Sequence, residues 1–92
     1  MKTFLISGKS SPKELKELSL KYKAEIVRLV KDFGGDVGSM YVILREKYMI
    51  LISVFPGMKP AEKAPITLSK FTGISFRTLP AISVDEFYEL TA

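Results

Sequence analysis

Ninety-two residues suffice for one domain, 1–92, with a single hydrophobic core and little surplus stability from its own buried area. Hydrophobic residues make up 47% and charged residues 26%, a globular balance, and no apolar run approaches the length needed to span a membrane. The chain carries a net charge of +4 and has no cysteine, histidine or tryptophan, so disulfides, thiolate or imidazole metal sites and Cys or His catalysis are all excluded.

The pattern predicts β-strands and helices in alternation. Lys2 to Ser7 reads as a strand around Phe4, Leu5 and Ile6, running into a polar turn at Gly8-Lys9-Ser10. This start is too short and too quickly charged for a secretory signal, which places the protein in the cytoplasm as an expectation. Ser11-Pro12-Lys13-Glu14 is a helix-start signal, with Ser at the N-cap, Pro at the first helical position and Glu closing a capping box. Leu15, Leu18, Tyr22, Ile26, Leu29, Val30 and Phe33 then recur at helical spacing up to Gly34-Gly35, a helix of roughly 33 Å that invites a break near Ser19.

Val37–Leu44 and Tyr48–Phe55 read as a hairpin turning at Arg45-Glu46-Lys47. Lys59 to Phe71 has helical spacing, but Pro65 lies beyond the first turn and is expected to kink or shorten it. Gly73 to Ala81 is a fourth strand, and Ser83-Val84-Asp85-Glu86 is a capping box opening a short C-terminal helix. This order predicts an α+β fold, a ferredoxin-like βαββαβ sandwich with a four-stranded antiparallel sheet, two helices on one face and a short C-terminal helix.

The hairpin carries a further deduction. One face bears Tyr41, Ile43, Tyr48, Ile50 and Ile52, and the other Met40, Val42, Leu44, Met49, Leu51 and Phe55. Both faces are apolar, whereas a sheet with one wet face alternates apolar and polar residues. Helices cover only one side, here assigned to the aliphatic set. The face with Tyr41, Tyr48 and Arg45 is left for a partner or an enclosed cavity, and a second copy of the same sheet is the economical cover.

The whole chain resembles the GYD-domain family of small bacterial and archaeal proteins in layout. The resemblance rests on the first strand, the helix ending Lys31-Asp32-Phe33-Gly34-Gly35, the hairpin through Tyr41 to Ile52 and the ending Thr78-Leu79-Pro80-Ala81-Ile82-Ser83-Val84-Asp85-Glu86-Phe87. It implies a fold that pairs as a dimeric α/β barrel, with no firmly established activity. The family's Gly-x-Tyr-Asp motif falls on Glu46-Lys47-Tyr48-Met49 and keeps only the tyrosine, so no carboxylate function carries over.

The candidate sites follow. Tyr41, Arg45, Tyr48, Ile50, Ile52 and Arg77 form a candidate pocket or self-interface, where a small aromatic or carboxylate-bearing ligand would find apolar walls and a few polar handles. Gly8, Lys9, Ser11 and Lys13 form a candidate anion site at a turn and helix start; a P-loop is rejected because position 3 is Thr and a strand precedes the glycine. No cofactor and no metal is expected. The first functional reading is a homo-oligomeric, non-catalytic binding or assembly module; a cofactor-independent enzyme of the dimeric-barrel type is the alternative.

Nucleic-acid binding ranks third. Residues 1–33 hold eight Lys/Arg against four Asp/Glu, but the charges are interleaved as on a solvated helix face, and the aromatic spacing of an RNA-recognition sheet is missing. The absence of Asn and Gln beside abundant Lys and Glu matches a thermophile's composition.

Overall fold

The computed structural model describes residues 1–9 and 23–91. Strand β1 is Lys2–Lys9, helix α1 Lys23–Asp32, β2 Asp36–Ile43, β3 Tyr48–Phe55, α2 Met58–Thr72, β4 Phe76–Ala81 and α3 Val84–Thr91. The expected helix start at Ser11 and the break near Ser19 lie outside the described residues. All three strand pairs are antiparallel, in the order β2-β3-β1-β4. The strands that each lead into a core helix, β1 before α1 and β3 before α2, sit in the centre, which is the ferredoxin-like arrangement predicted from element order.

The core lies between the sheet and helices α1 and α2. Phe4 and Ile6 of β1, Met49, Leu51 and Phe55 of β3, Ile26 and Val30 of α1, and Ala61, Ala64 and Leu68 of α2 are all buried. The rings of Phe4 and Phe55 meet edge to face, with centroids 6.0 Å apart. Among the described residues one polar side chain is enclosed with them: the hydroxyl of Ser53 is buried and has no hydrogen-bond partner there.

Helix ends obey local chemistry. Gly34 has φ 82°, and its N–H donates to the Lys31 carbonyl at 2.9 Å while the Gly35 N–H reaches back to that of Val30 at 3.0 Å. This is the Schellman closure that the Gly34-Gly35 pair foretold. Gly35 is also sterically required, because a Cβ there would lie 2.4 Å from the Val54 carbonyl oxygen. At α3 the Ser83 hydroxyl accepts from the Glu86 N–H at 3.0 Å and donates to the Glu86 carboxylate at 3.2 Å, closing the predicted capping box from the side-chain end.

Several details differ from expectation. Helix α2 runs uninterrupted through Pro65 from Met58 to Thr72. Proline removes the N–H that would bond the Ala61 carbonyl, but the Thr78 hydroxyl of β4 donates to that carbonyl at 3.0 Å, so the helix continues with its acceptor satisfied by a neighbouring strand. Strand β1 extends through Gly8 and Lys9, which pair with Met49 and Tyr48 where a turn was expected. Strand β4 begins only at Phe76, because Gly73, at φ 77°, caps α2 and Ile74 is buried beside the core. Leu44 leaves the strand for the hairpin turn, where it is 85% exposed and takes no part in the helix-side face.

Candidate functional site

Register decides which side chains share a face. Tyr41 pairs with Ile50 and Ile43 with Tyr48, while Met40 pairs with Leu51 and Val42 with Met49, as the two predicted sets require. The strand β3 reads alternately half-buried and buried along its whole length, with Tyr48, Ile50, Ile52 and Val54 on the side away from α1 and α2. That face is the candidate site.

Its composition follows from the ladder in four rows across the sheet. At the hairpin end, Ile43, Tyr48 and Lys9 stand side by side. The next row is Tyr41, Ile50, Ser7 and Arg77; the third is Ser39, Ile52, Leu5 and Leu79; the last is Asp36, Val54, Thr3 and Ala81. A β-bulge between Val37 and Ser39 at Gly38 keeps Asp36 and Ser39 on this face, although the spacing between them is odd. The Lys9 ammonium lies 5.9 Å from the centre of the Tyr48 ring, a cation–π contact that holds both side chains at the row's end.

The face is apolar along the centre, aromatic towards β2 and cationic towards β1 and β4. Tyr41 is 60% exposed, and Ile43 and Leu79 are also exposed. Asp36, at the far corner from Lys9, is the single carboxylate among the described strand residues of this face. Among the described residues no group of three or more Asp or Glu gathers as a metal ion would need.

Of the residues expected to act together, Tyr41, Tyr48, Ile50, Ile52 and Arg77 share this face. Arg45 does not, since it stands in the exposed hairpin turn. Of the candidate anion site, Gly8 is a strand residue pressed under Phe76, where a Cβ would come within 2.6 Å of the ring, and Lys9 engages Tyr48; Ser11 and Lys13 lie outside the described residues. Leu5, Lys9 and Leu79 belong to the open face as well. The signal for Leu5 was the alternation Phe4-Leu5-Ile6, in which a strand cannot bury all three on one side.

Clefts also open elsewhere among the described residues. One of about 370 Å3 lies at the far end of β1 and β4, between Met1, Lys2, Met58, Pro80, Ile82 and Glu86. A smaller one of about 190 Å3, lined by Lys23, Met40, Tyr41, Val42 and Met49, lies along β2. Helix α3 has no buried residue, and Val84, Phe87, Tyr88 and Leu90 are all exposed on it.

No helix among the described residues is long and apolar enough to cross a membrane. Comparison with family models, curated proteins and solved structures finds no match.

Proposed function

We propose that the protein is a small homo-oligomeric assembly module of GYD-like type, whose open sheet face is covered by a second copy of the chain as in a dimeric α/β barrel. The observation that carries this reading is the burial pattern of β3, in which every residue facing α1 and α2 is sealed and every apolar residue facing the other way stays accessible. An apolar sheet face exposed over four strands is an interaction surface by the ordinary logic of exposed patches.

A second copy fits it in kind and in size. Four strands of six to eight residues present a face of roughly 20 by 25 Å. That is roughly 500 Å2 before side-chain relief is counted, the scale on which standard interfaces bury about 800 Å2 per partner. A self-complementary patch also closes into a finite assembly rather than a fibre.

Light scattering tests the reading. The wild-type chain is expected at twice the 10.3 kDa chain mass or a higher multiple at micromolar concentration. Ile52→Asp, at the centre of the face, is expected to shift it to the monomer, while Lys63→Glu on the exposed side of α2 leaves assembly intact. A wild-type monomer across that concentration range refutes the proposal.

A further inference from the structure

We infer that the second copy is related by a two-fold axis running parallel to the strands through the middle of the open face, so that Arg77 of each copy meets Tyr41 of the other. This rests on the assembly reading above and deepens it by naming the operator and the contacts.

The argument starts from the lopsided chemistry of the face. Its tyrosines stand on β2 and β3, and its cations on β1 and β4, in the two rows nearest the hairpin turn. Two stacked copies can be related by an in-plane two-fold in two principal ways. An axis parallel to the strands reverses the strand order and keeps each row at its own height, so β4 lies over the partner's β2 and β1 over the partner's β3. An axis across the strands keeps the strand order and reverses the rows.

Only the first operator matches unlike groups. It sets Arg77 against the partner's Tyr41, at equal height because a rotation about this axis allows no slip along it, while each Lys9 stays over the Tyr48 ring of its own chain. A guanidinium group over a tyrosine face gains from the ring quadrupole, and more so once water is displaced. The central rows then bring Ile50 over the partner's Ser7 and Ile52 over the partner's Leu5. The two arginines sit at opposite edges, three strand spacings or roughly 14 Å apart laterally.

The second operator does the opposite. Arg77 would press on the partner's Leu79 and Lys9 on the partner's Thr3, and the cationic sides of both copies would stack over each other. Two positive charges would then lose water without gaining a partner, which is the costly outcome for buried charge.

Cysteine chemistry separates the two, because the chain has no cysteine of its own. Ser39→Cys on β2 and Leu79→Cys on β4 lie in the same row, clear of the cation–tyrosine pairs. Each variant carries one thiol, so a link between the two arises only between copies. When the variants are mixed, exchanged and treated with a short bis-maleimide, which spans the roughly 10 Å between stacked sheets that a disulfide cannot, the inferred axis predicts the mixed cross-link as the main product. Self-linked products should be minor.

A dimer by light scattering that yields no mixed product overturns the axis and leaves the assembly reading standing. A monomer overturns both. A second measurement covers a variant that fails to fold: Arg77→Met is expected to weaken self-association about tenfold. That loss should largely vanish in a Tyr41→Leu background, where the ring is already gone. Equal losses in both backgrounds overturn the contact.

Discussion

Ile50 and Leu51 are neighbours with almost the same side-chain chemistry, yet Leu51 is fully enclosed and Ile50 is not. The two faces of β3 differ in the same way throughout. The face towards α1 and α2 is finished by the chain itself, with small residues where elements come close and hydroxyls where carbonyls lose their partners. The opposite face is as apolar but is left without cover by α1 and α2. What distinguishes them is supply: among the described residues, α1 and α2 lie on one side of the four-stranded sheet and leave the apolar side chains of the other side accessible.

Truncating the two neighbours breaks this comparison most directly. Leu51→Ala removes a fully buried side chain and is expected to destabilise the fold by about 2–5 kcal/mol, independent of protein concentration in urea unfolding. Ile50→Ala should leave the monomer's own fold within about 1 kcal/mol, because that side chain is only half-buried within one copy. Its effect should instead appear as a loss of assembly, and hence as unfolding that depends more weakly on concentration than in wild type. Equal, concentration-independent losses at both positions would mean that one copy already seals both faces.

The next pair along β4 sharpens the same contrast. Thr78 faces the helices and donates to the Ala61 carbonyl, which Pro65 has deprived of its helical donor; Arg77 faces the other way. Thr78→Val keeps the shape and removes the donor, leaving a carbonyl unsatisfied in a part-buried place, with an expected loss of about 1–2 kcal/mol. In a Pro65→Ala background the residue at 65 can supply its own N–H, so the same substitution should cost less than half as much. A double-mutant cycle with no coupling would disprove the compensation. Arg77→Met should leave the monomer's stability within about 0.5 kcal/mol, as surface substitutions usually do.

How much of this was legible in the sequence follows from the range of each interaction. Local rules carried far: Ser83 and Glu86 announced their capping box, Gly34-Gly35 their helix end, and the apolar run from Tyr48 to Phe55 a strand with two apolar faces. Failures came where a distant residue intervened. Pro65 reads as a helix breaker until Thr78 arrives from 13 residues further along the sequence and accepts the role of missing donor. Gly8 reads as a turn until Phe76 is laid over it, when the same lack of a Cβ becomes a packing requirement within a strand. Arg45 sits beside the right strand in the sequence, yet the four residues of the turn carry it off the face that holds Tyr41 and Tyr48. The sidedness of that face, with tyrosines on β2 and β3 and cations on β1 and β4, emerges only when four strands far apart in sequence are placed in register.

The smallest effect concerns the turn that sets this register. Leu44 to Lys47 join the hairpin strands, and Lys47 adopts φ 59°, a left-handed conformation that side chains with a Cβ disfavour by about 1–2 kcal/mol. A slip of one residue here would exchange the faces, sending Ile50 inward and Leu51 outward, so the turn holds its strained residue in place against a much larger packing penalty. Lys47→Gly relieves the strain while adding flexibility to the unfolded chain, which offsets roughly 0.5–1 kcal/mol of the gain. The expected net result is a stabilisation of about 0.5–1 kcal/mol, read as a higher urea midpoint with an unchanged slope. Glu46 is the neighbouring residue of the turn, so Glu46→Gly provides the control. If the left-handed position is at 47, glycine at 46 brings no such gain, and a gain at 46 rather than 47 would move the strained residue, and the turn type with it, one place towards β2.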